Sequence, residues 1–200
     1  MKHIFVNNNS EYTFVLLHGT GGDEYSLINL GKMIDNSVNL LSVRGNISEQ
    51  GHNRFFKRHG IGSYDIESLE YETSNLVEFL NLTASKYHLD KNKFILIGFS
   101  NGANIIQSIL QLHGREFYAG ILLSPSYLQP NKPFKDLDNI PLFISVSDND
   151  PFMKADEAKK LIESIKASKG DLEVFWFDEG HTVTNEVLSA VVDFWLRIKN

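Results

Sequence analysis

The sequence contains no cysteine. Disulfide bonds, thiolate metal sites and a cysteine nucleophile are therefore excluded, and any nucleophile must be an oxygen or a nitrogen. Long apolar runs are also missing, because runs such as residues 14–17 and 94–97 are far shorter than the about 20 residues that cross a bilayer. The apolar stretch within residues 1–6 is too short for the core of a signal peptide. We therefore expect no membrane insertion and a cytoplasmic location.

Positive charge is scarce as well. The chain has 19 Lys and Arg against 25 Asp and Glu, a net charge of −6. Without a general positive field, we expect no nucleic-acid partner. Residues 54–58 mix basic and aromatic side chains, and we interpret them as two aromatic anchors flanked by solvated charges. The length of 200 residues predicts a single domain over residues 1–200.

Short β-branched or aromatic runs alternate with turns and with longer stretches of helical apolar spacing. This alternation predicts an α/β fold with a mostly parallel central sheet and helices on both faces. The predicted strands are residues 4–6, 13–17, 39–43, 93–97, 119–123, 142–147 and 173–177. The predicted helices are residues 66–88, 103–113, 154–168 and 185–198. Asp65 is placed to cap the first of these, and Asp23 to cap a helix that follows it. Residues 44–64 and 124–139 fit neither period and are predicted to be long loops bordering a site.

The motif Gly98-Phe99-Ser100-Asn101-Gly102 lies between a predicted strand and a predicted helix. A sharp strand-to-helix turn accommodates only small residues two positions before and two after a nucleophile. The turn would place the Ser100 hydroxyl at a helix N-terminus, which favours a developing anion. Chance produces the motif about once in ten such chains, but the strand and the helix are predicted independently of it. Ser100 is therefore the predicted nucleophile.

A general base and an acid should follow the nucleophile in the order Ser, acid, His. His181 comes after the last predicted strand, where an α/β sheet presents catalytic groups, and we predict it as the base. Two acids, Asp148 and Asp150, follow the strand at residues 142–147. Pro151 keeps Asp150 out of helical geometry, which favours it as the acid. Asp148 remains an alternative, since it could instead cap the turn.

A glycine-rich segment, residues 18–22, follows the second predicted strand. Its glycines allow close approach of the backbone to a ligand, and the backbone amides of Thr20 and Asn101 would form a two-donor oxyanion hole. A phosphate-binding loop is the alternative, disfavoured because no Lys-Ser/Thr follows the glycines. No metal-binding motif is recognisable, so we expect neither a metal nor a cofactor. Phe55 and Phe56 would line the substrate cleft or fill the core beneath their loop.

Together these segments resemble the α/β-hydrolase superfamily, and within it the small carboxylesterase/phospholipase-type group that includes acyl-protein thioesterases and bacterial esterases. The resemblance is carried by residues 17–24, 43–46, 54–56, 98–102, 150–151 and 180–181, and the middle block is most similar to bacterial esterases associated with hydroquinone stress. It implies Ser100, Asp150 and His181 as a catalytic triad and no cap domain. The chain departs from the group at Ser147, where glycine is usual, and at residues 152–154, where the group has an apolar-Pro pair.

The resemblance and the residues together predict a serine carboxylesterase that hydrolyses short- to medium-chain esters through an acyl-enzyme. The expected partner is a small-molecule ester, and the expected state is a monomer or a homodimer. An acyl thioesterase or lysophospholipase with the same triad is the nearest alternative. A non-catalytic small-molecule receptor on the same fold is the alternative from another class.

Overall fold

A computed structural model describes residues 1–60 and 62–199. Its strands are β1 (His3–Val6), β2 (Thr13–Leu17), β3 (Asn39–Val43), β4 (Ile47–Glu49), β5 (His52–Arg54), β6 (Arg58–Gly60), β7 (Ser63–Tyr64), β8 (Phe94–Phe99), β9 (Ala119–Leu123), β10 (Pro141–Ser147) and β11 (Asp171–Phe177). Its α-helices are α1 (Ile28–Ile34), α2 (Ile66–Tyr87), α3 (Asn101–His113), α4 (Ala155–Ala167) and α5 (Asn185–Ile198), and a short 3₁₀ helix covers Lys91–Lys93.

Seven of these strands form one sheet in the order β1-β3-β2-β8-β9-β10-β11. Strand β1 pairs with β3 in the antiparallel direction at one edge. The remaining pairings are parallel. Strands β2, β3 and β9 are buried along their whole length, which explains why their sequences are apolar on both faces. The predicted α/β fold with a mostly parallel sheet is confirmed.

Helices cover both faces of this sheet. Side chains alternate between two hydrophobic cores, so that Val15 and Leu17 face one core while Phe14 and Leu16 face the other. The first core is closed by apolar residues of α2, α3 and α4, and the second by residues of α1 and α5. Because these strands are parallel, their carboxyl ends lie at the same edge of the sheet, where the connecting loops can converge.

Two local predictions near the start of helices had different outcomes. The Asp65 carboxylate accepts a hydrogen bond from the Ser68 amide at 2.9 Å, so the predicted cap of α2 is confirmed. The prediction that Asp23 caps a helix is wrong, because α1 begins only at Ile28. The Asp23 carboxylate instead accepts from the Tyr25 amide and the Ser26 hydroxyl and closes a tight turn.

Residues 44–64 are not one long loop as predicted. They contain two antiparallel hairpins, β4–β5 and β6–β7. Gln50 and Gly51 form the first turn with φ values of 51° and 81°, a conformation typical of a two-residue hairpin turn. Residues 124–139 contain neither helix nor strand, in agreement with the prediction. As far as the structure describes them, residues 44–64 and 124–139 add no cap domain. Among the helices of residues 1–60 and 62–199, none combines the length and the apolar character of a membrane span.

Candidate active site

Ser100 occupies the tight turn between β8 and α3. Its φ of 53° is positive, a backbone strain that non-glycine residues adopt mainly at functional sites. Its backbone amide donates to the Leu123 carbonyl of the neighbouring strand at 2.9 Å. The flanking Gly98 and Gly102 leave no room for side chains, since a Cβ on Gly102 would lie 1.9 Å from the Leu17 carbonyl oxygen. The strand, turn and helix expected from the motif are therefore all present.

The side chains of Ser100, His181 and Asp150 form a continuous hydrogen-bonded chain. His181 Nε2 lies 2.8 Å from Ser100 Oγ, and His181 Nδ1 lies 2.7 Å from Asp150 Oδ2. Because a carboxylate only accepts hydrogen bonds, Nδ1 carries the ring proton and donates a hydrogen bond to Asp150. Nε2 is then the acceptor for the Ser100 hydroxyl. The fold thus brings together three residues separated by 50 and 31 positions in the chain.

Of the two candidate acids, Asp150 is the one beside the imidazole. Its side chain is 2% exposed, and its Oδ1 accepts from the Phe152 amide at 2.8 Å. Asp148 is exposed, and its backbone amide donates to the Phe177 carbonyl. Within the part of the chain that the structure describes, Asp148 makes no hydrogen bond to His181.

Ser147, the position at which the chain departs from the esterase group that it resembles, connects the loops that carry the acid and the base. Its hydroxyl oxygen accepts from the Asn149 amide at 3.2 Å and from the Gly180 amide at 3.1 Å. Asn149 strengthens the same link, because its side-chain amide donates to the Asp178 carbonyl at 2.8 Å. The departure at this position therefore stabilises the relative placement of Asp150 and His181.

The imidazole of His181 is held between two aromatic rings. Its ring centre lies 5.2 Å from that of Phe99 and 4.7 Å from that of Phe152, the latter edge-to-face. Phe152 is itself 47% exposed. These ring contacts, together with the two hydrogen bonds of the imidazole, restrict the rotation of His181.

The glycine-rich segment is fixed by the buried His18. His18 Nε2 accepts from the Gly45 amide at 3.1 Å, so Nδ1 carries the proton and donates to the Gly19 carbonyl at 2.6 Å. Burial lowers the pKa of His18, which agrees with this neutral form. The side-chain oxygen of Asn101 accepts a hydrogen bond from the Phe55 amide at 2.7 Å. This bond joins the start of α3 to the segment between β5 and β6.

Thr20 and Asn101 are the residues whose backbone amides the sequence predicts as oxyanion donors. Both residues line the same cavity as Ser100. Among the hydrogen bonds of residues 1–60 and 62–199, none uses either backbone N–H group as a donor.

A cavity of about 420 Å³ opens above these groups. Its apolar wall includes Phe56, Phe99 and Phe152. Phe55 is not part of this wall and is fully buried, with its ring centre 4.8 Å from that of His18. Of the two proposed substrate contacts, Phe55 is thus a core residue, because it packs beneath the glycine-rich segment, and Phe56 borders the cavity.

Several lining residues were not singled out from the sequence as site residues. They are His52, Arg54, Arg58, Tyr64, Asn104 and Ser126. The interpretation of both arginines as solvated charges is wrong for Arg54, which is 4% exposed. The Gln50-Gly51 turn signal could have indicated the hairpin, but no local pattern reveals that this hairpin folds over Ser100. In the described residues, no group of three or more His, Asp or Glu side chains is placed to hold a metal ion.

Comparison with known proteins identifies the relatives of this chain. The pattern of the dienelactone hydrolase family matches residues 65–193, which include Ser100, Asp150 and His181. The chain belongs to this family. The Bacillus subtilis (strain 168) protein MhqD, named as a hydrolase, is 35% identical over 189 residues, which cover 92% of each chain.

Solved structures agree with the family assignment. The carboxylesterase of Bacillus cereus has a TM-score of 0.96 and 32% identity, and the match covers 99% of this chain and 94% of that one. The structure of YahD with malic acid has a TM-score of 0.92 and 32% identity, with 98% of both chains covered. This member of the dienelactone hydrolase family is therefore a hydrolase of the α/β-hydrolase superfamily, with esterases among its structural neighbours.

Proposed function

We propose that this hydrolase is a serine carboxylesterase that cleaves short- to medium-chain esters through an acyl-enzyme. The observation that carries the proposal is the unbroken hydrogen-bonded chain from Ser100 through His181 to Asp150, with distances of 2.8 Å and 2.7 Å. Such a chain activates a hydroxyl that is otherwise a weak nucleophile. The family membership supports hydrolysis, and the geometry supports these three residues as its machinery.

In the proposed acylation step, Ser100 Oγ attacks the ester carbonyl while His181 Nε2 takes the hydroxyl proton. Asp150 stabilises the imidazolium that forms. The carbonyl oxygen becomes an oxyanion and accepts hydrogen bonds from the amides of Thr20 and Asn101. The intermediate then collapses, the bond to the alcohol breaks, and His181 returns the proton to the leaving oxygen.

Deacylation repeats these steps with water as the nucleophile. His181 takes a proton from water, the hydroxide attacks the acyl carbonyl, and the proton passes back to Ser100 Oγ as the acid leaves. The cavity volume of about 420 Å³ suits a small ester. Its wall of Phe56, Phe99 and Phe152 suits a short apolar group beside the reacting carbonyl.

A panel of 4-nitrophenyl esters of increasing chain length, run beside matched acyl thioesters, tests the proposal. We expect the highest kcat/KM on short- to medium-chain esters. Ser100→Ala should lower kcat by about 10⁴-fold or more with the far-UV circular dichroism unchanged. Faster turnover of the thioesters would instead identify a thioesterase with the same triad.

Covalent labelling separates an enzyme from a receptor. A fluorophosphonate should label the wild type at one site and fail to label Ser100→Ala, because only an activated hydroxyl attacks this reagent. A folded wild-type protein that neither labels nor hydrolyses any ester would contradict the proposal and favour a non-catalytic receptor.

A further inference from the structure

The base of the triad lies on a segment that has little packing of its own. Residues 178–184 connect β11 to α5 and contain neither helix nor strand. None of these residues is buried. A segment of this kind gains little stability from packing. The position of His181 within hydrogen-bond reach of Ser100 and Asp150 therefore depends on how the backbone of the segment is held.

Two serine hydroxyls hold this backbone on either side of His181. Ser147 Oγ, at the end of β10, accepts a hydrogen bond from the Gly180 amide at 3.1 Å. Ser124 Oγ, directly after β9, donates to the Thr182 carbonyl at 3.4 Å. Ser147 is 2% exposed and Ser124 is 1% exposed. The segment is thus attached to two buried points at the edge of the sheet, one before the base and one after it.

Each serine also belongs to the support of another triad member. The carbonyl of Leu123, which precedes Ser124, accepts from the Ser100 amide at 2.9 Å. The backbone carbonyl of Ser147 accepts from the Asp150 amide at 3.4 Å. The attachment on one side of the base is therefore continuous with the support of the nucleophile, and the attachment on the other side with the support of the acid.

The backbone of Ser124 is strained where it makes this contact. Its φ is 47°, in the left-handed region that side chains rarely adopt. Its amide donates to the Ser145 carbonyl at 3.1 Å, which stabilises the conformation. Backbone strain of this kind concentrates at functional sites, and here it accompanies the hydrogen bond to Thr182.

We propose that Ser124 and Ser147 are positioning residues that jointly hold His181 between Ser100 and Asp150. The imidazole has to reach two oxygens, because it takes the proton of the nucleophile and returns it to the leaving group. A displacement of about 1 Å can lower such a rate by about 100-fold. This inference rests on the proposed esterase function, since it concerns the base of that reaction.

Two esters of the same acid report the position of the base. The 4-nitrophenolate of 4-nitrophenyl butyrate leaves readily without a proton, whereas the leaving oxygen of ethyl butyrate requires one from His181. Ser147→Ala and Ser124→Ala should therefore each lower kcat/KM by about tenfold on ethyl butyrate but by no more than about threefold on 4-nitrophenyl butyrate. Neither serine is among the described residues that line the cavity, so KM should change by no more than about twofold.

The double variant tests whether the two serines hold the same segment. Each single variant leaves the segment attached on one side of His181, whereas Ser124→Ala combined with Ser147→Ala removes both attachments. We expect the double variant to lose more kcat/KM on ethyl butyrate than the product of the two single losses, which is more than about 100-fold. Single losses that merely multiply would overturn the joint hold.

Ser108→Ala is the matched control. Ser108 is 1% exposed, and its hydroxyl oxygen accepts from the Thr73 hydroxyl at 2.8 Å between α3 and α2. The variant removes a buried serine hydroxyl outside the site, so it should lower the stability, measured by urea denaturation, and leave the ratio of kcat/KM for the two esters unchanged. A merely structural role of Ser124 and Ser147 would give the same pattern as this control.

The outcomes separate this inference from the proposed function. Wild-type hydrolysis of both esters, with the same ratio in both serine variants, would overturn the positioning role and leave the esterase standing. Hydrolysis of 4-nitrophenyl butyrate alone by the wild type would also overturn it, because a well-placed imidazole protonates an alkoxide. If one single variant fails to fold, the ratio in the other still decides. Absence of hydrolysis and of fluorophosphonate labelling would overturn the esterase itself.

Discussion

At the scale of single residues, the proposed mechanism depends most on the acid that supports His181. Asp150 is buried against the imidazole, whereas Asp148, two positions earlier, is exposed. A carboxylate at this place fixes the tautomer in which Nε2 can accept the serine proton. The two aspartates therefore provide a matched pair in which only one member touches the site.

We predict that Asp150→Asn lowers kcat by about 10³-fold or more, because an amide can donate to Nδ1 and stabilise the wrong tautomer. Asp148→Asn should change kcat by no more than about twofold, as expected for an exposed residue. Steady-state kinetics on a short-chain 4-nitrophenyl ester measures both. The reverse pattern, with loss of activity only in Asp148→Asn, would show that the acid is misassigned.

Residue types and chain order were sufficient to predict that Ser100 and His181 lie together, but they left the acid open between Asp150 and Asp148. The burial of Arg54 was not predictable, because it depends on a hairpin that folds back over the glycine-rich segment, and no local pattern reports that contact. The same contact places Phe55 in the core against His18. The distinction between Phe55 and Phe56 is likewise a property of tertiary packing.

At the scale of elements, the junction of β8 and α3 determines the position of the nucleophile. Helix α3 approaches β2 so closely that Gly102 lies against the Leu17 carbonyl. This approach allows the start of α3 and the glycine-rich segment after β2 to border one cavity. A side chain at Gly102 would force the two elements apart.

We predict that Gly102→Ala lowers the free energy of unfolding by about 2–4 kcal/mol, because its Cβ would meet backbone atoms that cannot move aside. Gly60→Ala is the control, since a Cβ there meets nothing within 4 Å. It should change the stability by no more than about 0.5 kcal/mol. Urea denaturation measures both variants, and equal stability of the two would contradict the close approach of α3 and β2.

The strands of the central sheet and the longer helices were predictable because each has enough residues to show an apolar run or a helical spacing of apolar residues. Strands β2, β3 and β9 have the predicted bounds, as does helix α5. The strands of the two hairpins have two or three residues each, mostly polar, which is too short for any periodicity to appear. Helix α1 starts later than expected because Asp23 satisfies its hydrogen bonds locally, with Tyr25 and Ser26.

At the scale of the whole molecule, the end of the chain is anchored to the helix that follows β2. Asp35, at the end of α1, accepts from Trp195 Nε1 at 2.9 Å and from Lys199 Nζ at 2.8 Å. Burial alone would raise the pKa of Asp35, but hydrogen bonds from Lys199, Ser37 and Trp195 outweigh it and hold the pKa well below its usual range. These bonds join α1 to α5 over the second core.

We predict that Asp35→Asn lowers the free energy of unfolding by about 1–3 kcal/mol near neutral pH. A carboxylate whose pKa is depressed by folding stabilises the protein above its unfolded pKa of about 4, and this contribution is lost as the pH falls further. The deficit of the variant should therefore be constant between about pH 7 and 5 and shrink below about pH 4. Urea denaturation at several pH values measures it, and a deficit independent of pH would refute the electrostatic explanation.

Net charge and composition describe the molecule as a whole but not its cavity. The net charge of −6 predicts no general positive field, yet Arg54 and Arg58 both line the cavity. Tertiary packing brings these two arginines to the cavity, and the number of charged residues in the chain does not predict that placement. The fold class was predictable from the alternation of elements, whereas the lining of the cavity depends on how the two hairpins pack beside Ser100.

Trapping the acyl-enzyme tests directly whether Ser100 is the nucleophile. The wild type is mixed with a short-chain 4-nitrophenyl ester, quenched in acid within the first turnover, digested and examined by mass spectrometry. We predict one acyl group per chain, located on Ser100, and none on Ser100→Ala. Ester turnover by Ser100→Ala at the wild-type rate, or an acyl group found on a different residue, would contradict the account.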